Sequence, residues 1–386
     1  MSADEQPVLF VDSKKDVELA SALHPEPGMV RVALHQAQEL APLLGRAPLW
    51  IDPAFESFPR PSAETAWAAF YRETAAWKSL TDGAFVKRPA AGAVRDLLRP
   101  VLEQAMAHSP AWLSIPQVRV AEGSEHNRLN RMLAEETGAI LRAGGFRGKA
   151  ILPMILSLER QSTTRGARAR LGVAQNLGAA GADGIWLVDA GLEDEAGTPG
   201  TERRFKGLVE LHDEIDALDP SIVIAGPYWA FGLVVWARGL ATHVATGLGA
   251  GYHYHPPGLA PRREPVARLA VRSLRKRVRA PDQLRDWLDR CAAGLDGEDD
   301  RRPELEDLKK KFATLVQDGG RRQVATVWRD WFAEVADLSP PSRSLALYQE
   351  FSRAFLLGKA LPPVPSETGS ARKPYQPAQQ LMLHSV

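Results

Sequence analysis

Four residues in this sequence have side chains suited to moving protons, and each lies at or just beyond the end of an apolar run or in a glycine-rich loop: Asp52, Lys87, Asp189 and His253. Carboxylate and ammonium groups that share a partly desolvated cup shift in pKa toward neutrality, which is what general acid–base chemistry requires. Asp189 follows the run IWLV and precedes Ala190 and Gly191, which leave space beside it. Its plainer reading is a helix cap or a loop anchor. Lys87 can form a Schiff base with a carbonyl compound if Arg88 lowers its pKa. Adjacent residues of a strand face opposite ways, however, so only one of Lys87 and Arg88 can face a barrel axis, and anion binding is the simpler role.

Two segments supply the groups that would hold a ligand. AGPYWAFG (Ala225 to Gly232) and TGLGAGYHYHPPG (Thr246 to Gly258) contribute Gly226, Gly247, Gly249 and Gly251, whose backbone N–H groups allow close approach of a phosphate. Tyr228, Trp229, Tyr252 and Tyr254 lie in the same segments and offer faces for a flat ring such as a nucleobase. Gln117 adds a hydrogen-bonding amide at the end of another apolar run. His253 and His255 form an HxH pair that one metal ion could bridge, with Asp52 or Asp189 as a further ligand. No second such pair, HExxH motif or carboxylate cluster accompanies it, so acid–base or hydrogen-bonding roles are preferred and neither metal nor cofactor is assigned.

What must position these residues is a set of eight apolar segments: Pro7 to Asp12, Ala47 to Asp52, Gly83 to Arg88, Ala111 to Gln117, Lys149 to Ser157, Asp183 to Asp189, Ser221 to Trp229 and Thr242 to Gly249. Each interval leaves room for a helix, and parallel strands need crossovers of that length. The pattern predicts a (β/α)8 barrel of the TIM type over residues 1–261, with its chemistry at the carboxyl ends of the strands. Asp52, Lys87, Gln117, Ser157, Glu159 and Asp189 would then share one mouth. Apolar spacing predicts helices between the strands, among them Val30 to Leu44.

The alternation stops after Gly249. Residues 262–360 are expected to form a helical appendage, and the Pro-, Ser- and Gln-rich stretch 361–386 an extended or disordered tail. Within the appendage, Arg268, Arg272, Arg275, Lys276 and Arg279 recur at three- and four-residue spacing. A helix there would present a positive face that either contacts nucleic acid or pairs with nearby acidic stretches.

The formal charge of +1 excludes a global field toward nucleic acid or an anionic membrane. One cysteine, Cys291, excludes an internal disulfide and fits a reducing compartment. With no signal core and no long apolar run, the sequence reads as cytoplasmic, without a membrane partner. Two functions stay open. One is an enzyme acting by acid–base chemistry on a phosphorylated or nucleotide-like small molecule. The other is a silent barrel scaffold that binds nucleic acid or a protein through the basic segment and tail.

Overall fold

A computed structural model describes residues 6–24, 26–58, 61–118, 124–156, 172, 175–192, 199–248, 254–258, 267–279, 283–295, 299–317 and 320–364. Eight parallel strands close into one barrel in chain order: β1 Val8–Phe10, β2 Met29–Ala33, β3 Leu49–Asp52, β4 Trp112–Ser114, β5 Lys149–Leu156, β6 Gly184–Asp189, β7 Ile222–Ala225 and β8 His243–Gly247. The chain therefore has the (β/α)8 fold, with helices between the strands. Among the described residues, no helix is long and apolar enough to cross a membrane.

Seven of the eight predicted strands appear, and the eighth comes from a segment expected to be helical. Met29–Ala33 reads M-V-R-V-A. In strand register this sends Val30 and Val32 toward the helices, and Met29, Arg31 and Ala33 toward the barrel axis. The β-branched valines favour that geometry over helix. Helix α1 (Lys14–Leu23) precedes it, and α2 (Leu34–Leu40) begins only after Ala33.

The segment Gly83 to Arg88, expected as the third strand, is instead the short helix α5 (Gly83–Lys87). Asp82 caps it by accepting the Ala84 N–H at 2.9 Å. It belongs to a four-helix crossover between β3 and β4, with α3 Ala66–Tyr71, α4 Ala75–Leu80 and α6 Ala91–Met106. An apolar run this short carries no clear period, and its neighbours decide its form.

Strand register fixes which residues face the axis. Phe10 aligns with Arg31, Arg31 with Trp50, Trp50 with Trp112, Ser114 with Ile151, Pro153 with Trp186, and Trp186 with Ile224. Large rings fill the interior in perpendicular or tilted contacts: Trp112 to Trp50 at 6.0 Å, Trp50 to Trp186 at 5.2 Å and Phe10 to Trp186 at 5.4 Å. Two indole N–H groups of the barrel interior find acceptors. Trp50 donates to Ser114 Oγ at 2.9 Å and Trp186 to the Gly226 carbonyl at 2.6 Å.

Further helices are α7 Ser124–Ala143, α8 Pro199–Asp216, α9 Phe231–Ala237, α10 Gln283–Ala293, α11 Arg302–Gln317, α12 Arg321–Ala336 and α13 Pro340–Ala360. The last four form the expected C-terminal helices. The basic segment does not join them. It is an antiparallel hairpin, β9 Arg268–Val271 and β10 Lys276–Arg279, joined by a turn in which Arg275 adopts φ of 48°. Its residues alternate between two cores: Ala270 packs with the barrel, while Leu269, Val271 and Val278 pack with Trp287, Leu305 and Leu361. Period-two alternation of L-A-V thus outweighs the helical spacing of the cations.

The positive helix face is consequently absent, and the cations are committed within the chain. Arg275 is buried, pairs with Glu334 at 2.7 Å and with Glu350, and lies 5.3 Å from the Trp331 ring. Arg272 pairs with Glu334. Lys276 is buried, and Arg268, Lys276 and Arg279 each make contacts of their own. Leu361 and Val364 are buried in the smaller core, so the chain is still packed at the start of the expected tail. Residues 365–386 lie outside the described residues.

Candidate functional site

At the carboxyl end of β3 the chain turns sharply back over the barrel mouth. Ala54 takes the left-handed conformation, φ 56° and ψ 52°, at a cost of roughly 1–2 kcal/mol for a residue with a Cβ. Two hydrogen bonds hold this turn. The Ala54 N–H donates to Asp52 Oδ1 at 3.0 Å, and the buried Tyr71 hydroxyl donates to the Pro53 carbonyl at 2.7 Å. The consequence is that Glu56, two residues on in a single 3-10 turn, is tucked inward to 2% exposure.

Five polar side chains converge there: Arg31, Asp12, Asp52, Glu56 and Tyr254. Arg31 from β2 donates through Nε and Nη2 to Asp52 Oδ2, at 3.1 and 2.5 Å, and through Nη1 to Asp12 Oδ1 at 3.2 Å. Its guanidinium also lies 5.0 Å from the Phe10 ring, 5.8 Å from Trp186 and 5.6 Å from Tyr254. Burial alone would lower the Arg31 pKa, but the Asp52 and Asp12 carboxylates more than offset it and raise it above the usual value. Tyr254 caps the aromatic stack, perpendicular to Trp186 at 4.9 Å, and its hydroxyl donates to Glu56 Oε1. Burial first, and then the negative charge of Asp52, push the Glu56 carboxyl up to about 7 despite that hydrogen bond.

His35 at the start of α2 completes the group. Burial, and then the nearby Arg31 charge, push its imidazole down to about 4, and its buried Nδ1 has no hydrogen-bond partner. The segment bearing Tyr254 is anchored to the β3 side of the mouth. The Gly258 N–H donates to Ser57 Oγ at 3.1 Å and its carbonyl accepts from the Ser62 N–H at 2.7 Å. A Cβ at Gly258 would stand 2.6 Å from the Trp67 ring, so only glycine allows this approach.

The expected site residues divide. Asp52 is at the mouth, on the axis side, as its position at the end of β3 requires. Gly247 ends β8 beside Phe10. Lys87 is exposed on α5 and does not reach the mouth, which removes the Schiff-base reading. Gln117 is turned into the fold: its Nε2 donates to the Pro116 and Asn130 carbonyls at 2.8 and 3.1 Å, and its Oε1 accepts from Asn176 at 3.2 Å. His253, Gly249, Gly251 and Tyr252 lie outside the described residues, as do Ser157 and Glu159.

Asp189 stands three residues after the axis-facing Trp186 and so points out of the barrel, toward α8. Arg204 Nε donates to its Oδ2 at 2.9 Å, and Oδ1 accepts from Arg204 Nη2 and from the Gly191 N–H at 2.8 Å. It is the loop anchor rather than the mouth acid. Asp189→Asn is therefore expected to lower stability in urea denaturation, by up to about 3 kcal/mol for weakening a buried ion pair. Lys87→Ala should stay within about 0.5 kcal/mol of the unsubstituted protein.

The β7 loop is equally committed to structure. Gly226 has φ of 110°, donates its N–H to Leu187 O at 3.3 Å, and would bring a Cβ to 2.8 Å from the Ala245 carbonyl. Its N–H is spent on the barrel and does not face an anion. The Tyr228 hydroxyl accepts from the Asp189 N–H at 2.5 Å. Trp229 is fully buried beneath the C-terminal hairpin. Its Nε1 donates to the Arg275 carbonyl at 2.9 Å, and its own carbonyl accepts from Trp328 at 2.8 Å.

Arg31, Glu56 and His35 were not anticipated. Arg31 was hidden by the helical reading of its strand, although V-R-V alternation was the available signal. Glu56 has no sequence signature, because its burial follows from the left-handed turn at Ala54. Among the described residues no group of three or more His, Cys, Asp or Glu side chains has the arrangement of a metal site.

No protein-family model matches the sequence, and no curated protein matches it. Similar solved structures include phosphoribosyl anthranilate isomerase from Thermococcus kodakaraensis, at 11% identity over 66% of this chain and 92% of that one, with a TM-score of 0.31. A mannanase from Bacillus subtilis is 10% identical over 67% of this chain and 82% of its own, at a TM-score of 0.34. A probable tagatose 6-phosphate kinase from Sinorhizobium meliloti 1021 is 12% identical over 98% of both chains, at 0.35. Likeness at this level carries no activity from those proteins to this one.

Proposed function

We propose that this chain is an enzyme that moves a proton on a small ligand at the carboxyl-terminal mouth of its barrel. Glu56 takes and returns the proton, Tyr254 hydrogen-bonds its carboxyl while no ligand is bound, and the Arg31–Asp52 pair forms a fixed electrostatic floor. The observation that carries this reading is a carboxyl group at 2% exposure whose pKa is pushed up to about 7, at the end of the barrel where this fold places its chemistry. A group that titrates near neutrality serves equally as acid and as base.

The phosphorylated or nucleotide-like ligand expected from the loop glycines becomes narrower. Asp12, Asp52 and Glu56 face the single guanidinium of Arg31, so the described part of the mouth carries more negative than positive groups. We therefore place an uncharged part of the ligand against Glu56, with any phosphate held away from it. The scaffold alternative draws no support from the basic segment, whose cations are engaged within the chain.

The test is a metabolite panel screened by thermal shift, followed by turnover assays on the compounds that stabilise the protein. A turned-over compound whose kcat/KM changes with an apparent pKa near 7 supports the assignment. A profile flat from pH 5 to 9 for such a compound removes Glu56 from the chemistry.

A further inference from the structure

We propose that the Tyr254 side chain occupies the ligand's own subsite, so that the mouth is built for a planar ring carrying a hydroxyl or N–H donor. This rests on the reading of the mouth as the reaction site and names the class of ligand it takes.

The space around the Tyr254 ring has four walls: two aromatic rings, a guanidinium and a carboxyl. Trp186 stands perpendicular to it at 4.9 Å and Phe10 at 6.3 Å, which are the edge-to-face contacts that an aromatic guest makes with an aromatic host. Arg31 lies 5.6 Å from its centroid, and the guanidinium is fixed in place by Asp52 and Asp12 whether or not a ring is present. At the far end, the Glu56 carboxyl receives the phenol's hydroxyl.

These walls belong to β1, β2, β6 and the β3 turn, while the ring that fills them comes from the segment after β8. Withdrawal of Tyr254 would leave a buried carboxyl without its donor, beside a buried cation facing two aromatic walls. A lost donor at a buried carboxyl is costly, so an incoming ring is selected for a hydroxyl or N–H that restores the bond. A flat ring with such a donor meets all four requirements at once. An alkyl chain or a free phosphate does not: the first lacks the donor, and the second adds negative charge beside Glu56 and Asp52.

The experiment uses p-cresol, the detached equivalent of the tyrosine side chain, and toluene, which lacks the hydroxyl. Binding is read by ligand-observed NMR on the full chain, without reference to turnover. Tyr254→Ala is expected to bind p-cresol about ten-fold more tightly than toluene, the factor for one well-made hydrogen bond. The unsubstituted protein is expected to bind p-cresol as well, more weakly, because the ligand must displace the resident ring. Tyr254→Phe, which keeps the ring but loses its bond to Glu56, should bind p-cresol more tightly than the unsubstituted protein and guards against misfolding of the alanine variant.

Equal affinity of Tyr254→Ala for p-cresol and toluene would overturn the donor requirement. Absence of p-cresol binding to both the unsubstituted protein and Tyr254→Phe would show that Tyr254 is a permanent plug, and overturn the proposal. Either result leaves the proton-transfer assignment of Glu56 to be judged by its own pH profile.

Discussion

Glu56→Gln is expected to make the protein more stable at pH 8 while lowering turnover by about 10²- to 10⁴-fold, the usual worth of a general acid or base. The stability change follows from linkage. The carboxyl titrates near its ordinary 4.5 when unfolded and at about 7 when folded, so the native state holds a proton more firmly than the unfolded chain does. Below pH 4.5 both states are protonated and the contribution is intact. Between 4.5 and about 7 folding takes up a proton, and stability falls as pH rises. Above about 7 both states are ionised, and the loss is complete at roughly 3 kcal/mol. Glutamine keeps an oxygen to accept from Tyr254 but never ionises, so the variant should match the unsubstituted protein at pH 4 and exceed it at pH 8. Urea denaturation at the two pH values measures the difference. Equal stability at both would mean that Glu56 ionises without penalty, and its proposed chemistry would lose its physical basis.

Arg31→Leu should be the most damaging single change to stability in the barrel interior. It leaves Asp52, 1% exposed, without its counter-charge, and removing one member of a buried pair costs about 3–5 kcal/mol. The decisive comparison is the double variant Arg31→Leu/Asp52→Asn. The asparagine oxygen can still accept the Ala54 N–H, and no uncompensated charge remains. Most of the loss should therefore be recovered, giving a large coupling energy in a double-mutant cycle followed by chemical denaturation. Additive losses would instead assign the role of Arg31 to its contacts with Phe10, Trp186 and Tyr254.

The barrel was legible because seven strands are continuous apolar runs, the pattern of a parallel sheet buried on both faces. The strand that was missed, Met29–Ala33, is the one with a charge at its centre. A buried arginine breaks the apolar run that marks the others, and only tertiary pairing with Asp52 makes it tolerable. The site was legible to the extent that strand ends predict position. Asp52 reaches the axis because its register matches Ala33, whereas Asp189 ends its strand on the opposite parity and meets a helix. Parity relative to the axis depends on register across the ring, which no single segment encodes. The basic segment misled for a related reason: arginines at three- and four-residue spacing suit a helix, but L-A-V alternation between two cores decides the structure.

That ribbon limits how freely this fold can be recombined. One face of Arg268–Arg279 completes the packing of the barrel through Ala270, its backbone at Arg275 receives the indole of Trp229 from the β7 loop, and its other face founds the smaller core. Grafting the barrel onto a different C-terminal partner would strand an indole N–H and uncover apolar surface at once. The β7 loop and the ribbon must therefore be inherited together, and a change in either would select for a compensating change in the other.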